Sequence, residues 1–174
     1  MYYTGKGDKG TSKLFQAKSR LLKSDLVFEV LGSLDELNSW LGLCAAEAEE
    51  YIEIKKIIEY IQNDLFICQA YFAQANTLIP DNFLSRLEEK IDRISPQLKE
   101  RKNFVLSGGS RLSSLLDVAR TLARKAERRV VDLNEKQKVK GLVLAYLNRL
   151  SSLLYVLARW SNDLQGKEEQ APKY

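Results

Sequence analysis

Three arginines at four-residue spacing are the residues of this chain best suited to bind an anion. Arg120, Arg124 and Arg128 stand at i, i+4 and i+8 in a stretch whose apolar residues recur every three or four positions. This is the pattern of an amphipathic helix with the arginines on one face. Because three guanidiniums in a column repel one another, they must face a negative group or spread into solvent. The sequence leaves both interpretations open, since most charged helix faces are only solvated.

A glycine pair and a serine stand ahead of this helix, at positions 108–110. The first turn of a helix leaves backbone N–H groups that can bind an anion, and an ordinary serine cap is the alternative. Just before them, Phe104, Val105 and Leu106 form an apolar run inside a predicted loop. Such a run must bury against the core, a partner or a ligand.

The first 25 residues form a second candidate anion site, rich in glycine and lysine. Gly5, Gly7 and Gly10 nominally match the fingerprint G-x-G-x-x-G, but only four residues precede Gly5, so no strand leads into it. A P-loop is also rejected, because Thr11 stands where its lysine belongs. What remains is a turn whose backbone could approach a phosphate, although a flexible basic terminus would look the same.

The composition bounds the class of protein. The chain has 174 residues, 45% apolar and 29% charged, with a net charge of +4, which fits one globular domain with anionic partners. It has no histidine, the usual general base and metal ligand. Two cysteines, Cys44 and Cys68, are too few for a disulfide framework or a cysteine-rich zinc site. We expect a cytoplasmic protein, because neither a signal peptide nor an apolar run of membrane-spanning length stands out.

Hydrophobic periodicity predicts an all-α fold, a five-helix bundle with a glycine-rich, loop-like N-terminal segment. A single domain over residues 1–174 is expected, with a disordered charged tail over 166–174. The first helix begins at residue 27 or at Ser33, where Ser33 and Glu36 resemble a capping box. The other predicted helices run from 51 to 76, from 82 to 99, from the glycine pair to about 133, and from 141 to 164.

Three stretches, each weak alone, together resemble the PduO-type family of cob(I)alamin adenosyltransferases. The first is TGKGDKGTSKL, with the later Arg20, Lys23 and Asp25 and then GSLDELNSWLG. The second is FVLSGGS followed by ARTLARKAERRV, and the third is YLNRLSSLLYVLAR. They stand in the family's order and cover nearly the whole chain.

The resemblance implies transfer of the 5′-deoxyadenosyl group of ATP to the cobalt of cob(I)alamin, giving adenosylcobalamin and triphosphate, with Mg²⁺ accompanying the nucleotide. It also implies a homotrimer whose sites lie between the N-terminal segment (1–25) of one subunit and the arginine-bearing helix of the next. A cob(II)alamin reductase and a B12-dependent enzyme are further implied partners, while neither nucleic acid nor a membrane is expected. No general base is needed, because cob(I)alamin is itself a strong nucleophile.

The same resemblance assigns roles to residues. The expected catalytic residues are Arg120, Arg124 and Glu127. On the corrinoid side, Phe104 would pack on the lower face, and Asp35 would pair with Arg120 of a neighbouring subunit. The expected ATP-binding residues come from the N-terminal segment and from two later helices: Thr4, Gly5, Lys6, Gly7, Asp8, Gly10, Thr11, Ser12, Lys23, Arg124, Arg128 and Asn148. Mg²⁺ is expected near Asn148, held through the ATP phosphates.

Four positions depart from the family pattern. Lys125 replaces an arginine, Ser107 a proline, Asp117 a histidine and Ser152 an aspartate. Lysine keeps the charge but loses the bidentate fork, and the last two changes put polar contacts around the site in doubt. None removes an expected catalytic residue, so an active enzyme is expected.

Two other functions are weighed against this one. A family member that binds ATP or corrinoid with little turnover, as a carrier or sensor, is suggested by Lys125 and Ser152. A basic helical nucleic-acid binder is disfavoured, because the basic residues alternate with acids and no recognised binding motif occurs.

Overall fold

The computed structural model describes residues 2–100 and 104–173, and these residues form five α-helices and one pair of two-residue strands. The helices are α1 (Leu26–Glu47), α2 (Ile52–Phe72), α3 (Ser85–Ile94), α4 (Arg111–Asn134) and α5 (Gly141–Leu164). The strands β1 (Thr11–Ser12) and β2 (Leu21–Leu22) pair antiparallel. The predicted all-α five-helix bundle is confirmed.

Helix α4 lies between α1 and α5, so its faces are shared by two neighbours. Helix α2 packs on the other side of α1, and α3 packs on α5. Leu34, Leu116 and Leu154 are fully buried at these contacts, and each such side chain contributes about 1.5–3 kcal/mol by leaving water. The indole of Trp40 donates a 2.8 Å hydrogen bond to the carbonyl of Leu115, which ties α1 to the first half of α4.

Helix α1 begins at Leu26, not at Ser33. The carboxylate of Asp25 accepts a hydrogen bond from the Val27 amide at 3.1 Å and caps the first turn. Ser33 lies inside the helix, where its hydroxyl donates to the carbonyl of Glu29. The capping box suggested by Ser33 and Glu36 is therefore wrong, because the helix already has an earlier cap.

Helices α2 and α3 are shorter than the periodicity suggested. Helix α2 ends at Phe72, where Gln74 takes a positive φ of 60° and the Ala75 amide reaches back to the Ala70 carbonyl at 2.9 Å. This is a left-handed termination of the kind that closes helix ends. Helix α3 runs only over Ser85–Ile94, and a 3₁₀ turn at Ser95–Gln97 follows it.

Helix α5 is long and apolar enough, by length and composition, to cross a membrane. The expectation that no apolar run reaches that length is therefore wrong. Of its most apolar window, 56% is buried inside the bundle. A core helix surrounded by α3 and α4 needs apolar residues on most faces, which explains this composition without a bilayer.

The C-terminal segment makes specific contacts, where the sequence suggested a disordered tail. The Leu106 amide donates a 2.8 Å hydrogen bond to the Gln170 carbonyl. A carboxylate oxygen of Glu169 lies 2.8 Å from the guanidinium Nε of Arg159. High charge suggested disorder, but here the charge of Glu169 is paired inside the fold.

Candidate active site

The arginine column lies on the exposed side of α4, beside α5. Arg124 and Arg128 are exposed and line a pocket of about 430 Å³ together with Glu127 and Asn148. The Asn148 amide donates a 2.8 Å hydrogen bond to Glu127. Neither Arg124 nor Arg128 has an ion pair or hydrogen-bond partner for its guanidinium among the described residues. The pocket thus offers two unpaired cations beside an amide and a carboxylate.

Arg20 organises the glycine-rich N-terminal segment. Its guanidinium donates to the carbonyls of Lys6 and Thr11, both at 2.7 Å, and to the Thr11 hydroxyl at 2.9 Å. These bonds close the segment into a loop, and Gly10 takes a left-handed φ of 73° at its turn. Sequence reasoning noted Arg20 only as part of a motif. Its role in closing the loop could not be read from the sequence, because its partners Lys6 and Thr11 are fourteen and nine residues away.

Lys23 brings a cation over the same loop. Its amide bonds to the Gly10 carbonyl at 2.9 Å, and a Cβ added at Gly7 would come 3.2 Å from its ammonium nitrogen. Most of the predicted phosphate-binding residues here are exposed, with Gly7, Thr11 and Ser12 half-buried. The structure therefore gathers these residues into one basic, glycine-rich loop.

The N-terminal loop and the Arg124 pocket are separate within one chain. The loop lies beside a cavity of about 690 Å³ lined by Arg20, Asp25, Leu133 and Lys136, near the C-terminal end of α4. Among the described residues, none from positions 2–25 lines the Arg124 pocket. One copy of the chain does not bring the predicted phosphate-binding residues together.

The segment 104–110 is fixed onto α5 by Asn162. The Asn162 side chain donates to the Gly108 carbonyl and accepts from the Ser110 amide, both at 2.8 Å. A Cβ at Gly109 would come 2.5 Å from the Asn162 oxygen, so this close approach requires glycine. Ser110 caps α4 by accepting from the Ser113 amide at 3.1 Å.

Asp117 makes a buried ion pair that sequence reasoning missed. Its carboxylate lies 2.8 Å from the guanidinium of Arg159 and accepts a 3.0 Å bond from the Gly108 amide. Arg159 has a side-chain exposure of only 2%. An arginine inside the apolar stripe of α5 was the available signal, since a buried guanidinium requires a carboxylate partner.

A second pocket lies between this segment and α5. It has a volume of about 400 Å³ and is lined by Phe104, Asp117, Arg120, Tyr155 and neighbouring residues. Phe104 is 80% exposed, so the apolar run does not bury it in the core of its own chain. The structure brings Phe104 and Arg120 to one pocket, as the resemblance requires.

Asp35 faces a different groove. This groove, of about 540 Å³, lies between α1 and α2 and is lined by apolar residues that include Phe28, Leu31 and Phe66. Phe66 is 62% exposed. Within one chain, Asp35 and Arg120 therefore line separate cavities.

Neither cysteine lines the four pockets described above. Both cysteines are fully buried, and burial raises the pKa of the Cys44 thiol to about 12. Among residues 2–100 and 104–173, no cluster of three acidic, cysteine or histidine side chains could hold a metal ion.

A sequence model described as cobalamin adenosyltransferase matches residues 2–161. The chain belongs to this cobalamin adenosyltransferase family. It is 37% identical to the corrinoid adenosyltransferase of Bacillus subtilis, over 94% of this chain and 88% of that protein. It is 39% identical to corrinoid adenosyltransferase PduO of Salmonella typhimurium, over 90% of this chain but only 48% of that longer protein.

Solved structures resemble this member of the cobalamin adenosyltransferase family over nearly its whole length. One is a variant PduO-type ATP:corrinoid adenosyltransferase from Lactobacillus reuteri complexed with cobalamin and ATP. It has a TM-score of 0.94 and 32% identity, over 99% of this chain and 97% of that one. Another variant from the same organism, complexed with ATP, has a TM-score of 0.91 and 32% identity, over 98% and 99% of the two chains.

In this adenosyltransferase-family chain, the lysine that departs from the family motif is already paired. The ammonium of Lys125 lies 2.6 Å from the carboxylate of Glu36 on α1. It does not line the pocket that contains Arg124. In this structure Lys125 joins α4 to α1 through its ion pair with Glu36.

Proposed function

We propose that this protein transfers the 5′-deoxyadenosyl group of ATP to the cobalt of cob(I)alamin. The cobalt electron pair attacks C5′, the cobalt–carbon bond forms, and the bond from C5′ to the phosphate oxygen breaks. The electron pair of that bond leaves with triphosphate, and the cobalt is formally oxidised from +1 to +3. The observation that carries this proposal is the unpaired Arg124 beside Glu127 and Asn148, in a family whose solved relatives hold cobalamin and ATP.

The ATP side of the site must stabilise a leaving group that gathers negative charge. In acyl and phosphoryl transfer, preorganised cations and N–H donors stabilise the negative charge that develops in the transition state. The same electrostatic stabilisation applies to triphosphate as it leaves. Arg124 would contact the phosphates and contribute most to the rate, with Arg128 beside it. The loop held by Arg20 would wrap the phosphate chain with backbone amides and with the ammoniums of Lys6 and Lys23.

Mg²⁺ would be held mainly by phosphate oxygens and water, as is usual for this ion. The carboxylate of Glu127 and the amide oxygen of Asn148 fit such a site, because both are hard oxygen donors and the two side chains lie together at the pocket wall. The ion would supply further charge neutralisation on the phosphate chain. The hydrogen bond between Asn148 and Glu127 orients both side chains at the pocket wall.

The corrinoid side is the pocket that contains Phe104 and Arg120. An exposed aromatic ring at its edge would pack on the lower face of the corrin and displace the lower axial base. That change gives a four-coordinate cobalt that is easier to reduce. The Nε atom of Arg120 is buried without a hydrogen-bond partner among the described residues, which favours an acceptor from another subunit.

We propose a homotrimer with each site shared by two subunits. Two observations within the chain support it: no described residue of the N-terminal loop lines the Arg124 pocket, and Asp35 and Arg120 line different cavities. A heterologous interface that closes a ring brings one patch of a subunit against a different patch of the next. Asp35 of one subunit would then pair with Arg120 of its neighbour.

The proposed reaction also implies which partner enzymes and which cellular compartment the protein needs. Cob(I)alamin is short-lived in air, so a cob(II)alamin reductase must supply it, and a B12-dependent enzyme must receive the product. We place the protein in the cytoplasm, where ATP and reductants are available, with no nucleic acid or membrane as a partner.

The deciding experiment is anaerobic. The purified protein is mixed with chemically reduced cob(I)alamin, ATP and Mg²⁺, and loss of cob(I)alamin absorbance is followed together with formation of a light-sensitive alkylcobalamin. Product formation supports the proposal. ATP binding without product would favour the carrier, and neither binding nor product would overturn the reading of the N-terminal loop.

Shared sites are tested by mixing two inactive variants. One carries Lys6→Ala and Lys23→Ala, and the other carries Arg124→Ala. Random reassembly of a trimer with shared sites should restore about a quarter of the native activity, because one site in four then receives both intact parts. A site built within one subunit would give no restoration.

A further inference from the structure

Asp117 uses its two carboxylate oxygens for two different elements. Oδ2 accepts a 3.0 Å hydrogen bond from the Gly108 amide and lies 2.8 Å from a guanidinium nitrogen of Arg159. Oδ1 faces the Nε of Arg120 at 4.0 Å. One buried carboxylate therefore hydrogen-bonds the segment that carries Phe104 and lies at ion-pair distance, without a hydrogen bond, from the first arginine of the column.

Arg159 links this carboxylate to the C-terminal segment. Its Nε lies 2.8 Å from Glu169, and both of these side chains are 2% exposed. The charges alternate in the order Glu169, Arg159, Asp117 and Arg120, so two cations balance two anions. Because removing one member of a buried ion pair leaves an uncompensated charge, Glu169, Arg159 and Asp117 depend on one another.

Asn162 couples the same two segments by side-chain hydrogen bonds. Its amide nitrogen donates to the Gly108 carbonyl at 2.8 Å and to Glu169 at 3.0 Å. The Leu106 amide adds a bond to the Gln170 carbonyl at 2.8 Å. The loop that presents Phe104 is thus bonded to Asp117 on α4 through Gly108 and to the C-terminal segment through Leu106.

We propose that Asp117 is a positioning residue for the corrinoid side of the site. It positions the Phe104 segment through the Gly108 amide. Its other oxygen places negative charge 4.0 Å from the Nε of Arg120, whose hydrogen-bonding capacity stays available to a neighbouring subunit. The C-terminal segment completes the arrangement by supplying Glu169 to Arg159. This inference rests on the proposed function, in which Phe104 and Arg120 face the corrinoid. It gives the aspartate found here, where the family pattern has a histidine, a specific partner in Arg159.

The test is Asp117→Asn, which keeps an oxygen acceptor for the Gly108 amide and removes the charge. The KM for cob(I)alamin should rise about tenfold, the scale of one lost charge-assisted contact. The KM for ATP should stay within about twofold of native, since the Arg124 pocket is not touched. The four-coordinate cob(II)alamin absorption of the ATP-bound protein should weaken. If Asp117 only stabilised the fold, its replacement would leave the cob(II)alamin spectrum unchanged. It would also not raise the KM for cob(I)alamin while leaving the KM for ATP as it is.

Glu47→Gln is the matched control. Glu47 pairs with Arg111 at 3.3 Å near the start of α4, so it also joins a carboxylate to that helix, but it does not touch the Phe104 segment. Both KM values and the cob(II)alamin spectrum should be native in this variant.

The outcomes separate this inference from the proposed function. A native protein that forms no alkylcobalamin overturns the proposed function itself. If the native protein is active but Asp117→Asn keeps the native corrinoid KM and spectrum, or raises both KM values equally, Asp117 is not a positioning residue for this side. If Asp117→Asn does not fold, Glu169→Gln decides, with an expected rise in corrinoid KM of about threefold; an unchanged value overturns the inference.

Discussion

The side-chain amide of Asn148 donates a 2.8 Å hydrogen bond to the carboxylate of Glu127, joining α5 to α4 at the wall of the Arg124 pocket. Glu127 stands three residues after Arg124, a spacing at which the two could form an ion pair on the helix surface. In the structure the carboxylate accepts from Asn148, and no ion pair joins it to Arg124. Arg124 is left without a charged partner among the described residues, available for an anionic ligand.

Replacing Arg124 with alanine should therefore affect transfer far more than folding. Loss of a preorganised cation at a developing charge costs about 10²–10³ in kcat, and we expect a fall of that size. Arg124 is exposed, so the thermal midpoint should change little. The measurement is cob(I)alamin consumption at saturating ATP, together with a melting curve by circular dichroism.

Arg111→Ala is the control for this variant, because Arg111 lies on the same helix and is also an exposed arginine. It should keep native turnover. Near-native kcat in Arg124→Ala would remove Arg124 from the catalytic set.

Phe104→Ala should spare ATP binding and impair the use of cob(II)alamin. Phe104 is 80% exposed and makes little contribution to the core, so its loss costs the fold little. Without the ring, the lower axial base is not displaced, and the four-coordinate cob(II)alamin spectrum should be lost. Leu78→Ala is a suitable control, since Leu78 is 88% exposed and lines none of the pockets described above. An unchanged spectrum in Phe104→Ala would show that the aromatic ring has another role.

Asp35→Asn should weaken both the assembly and the affinity for corrinoid. If Asp35 pairs with Arg120 of a neighbouring subunit, its neutralisation leaves Arg120 without that partner, and a partly buried pair costs about 1–3 kcal/mol to break. Sedimentation velocity at decreasing protein concentration should then show earlier dissociation, and the corrinoid KM should rise. Glu50→Gln, another exposed carboxylate, should behave as the native protein. Equal sedimentation and equal KM in Asp35→Asn would exclude the pair.

Hydrophobic periodicity predicted a helix well where the residues that recur at helical spacing are also the ones that are buried. Helix α5 matches its predicted bounds because residues from Gly141 to Leu164 carry an unbroken apolar stripe. The sequence left the start of α1 open between residue 27 and Ser33, and the first is correct to within one residue. The choice could not be made from the sequence, because the cap Asp25 is recognisable only once the preceding turn is formed. Local composition could not show that the turn after β2 delivers this side chain to the helix.

The polar contacts beneath the site could not be read from the sequence. The pairing of Asp117 with Arg159 depends on how α4 and α5 lie side by side, which a linear pattern does not fix. The commitment of Lys125 to Glu36 likewise depends on the contact of α4 with α1. Whether the N-terminal loop meets Arg124 stays a prediction, because it depends on a second copy of the chain.

Asp64 should make the stability of the fold depend on pH. It is buried on α2, with its carboxylate 3.1 Å from the guanidinium of Arg86 on α3. Burial raises the pKa of Asp64 above its ordinary value of 3.8, although the nearby Arg86 opposes the rise. As pH rises above 3.8, the carboxyl ionises in the unfolded chain before it does so in the fold. The folded state then binds more protons, so its stability falls as pH rises through this window.

We therefore compare the native protein with Asp64→Asn, which has no ionisable group at this position. The native free energy of unfolding minus that of Asp64→Asn should decrease as pH rises above 3.8 and then level off above the raised pKa. The slope cannot exceed about 1.4 kcal/mol per pH unit for one proton. Urea denaturation followed by circular dichroism measures it, with Asp81→Asn, an exposed carboxylate, as the control. A difference that grows with pH would mean that the ion pair with Arg86 outweighs desolvation and lowers the pKa of Asp64 in the folded state.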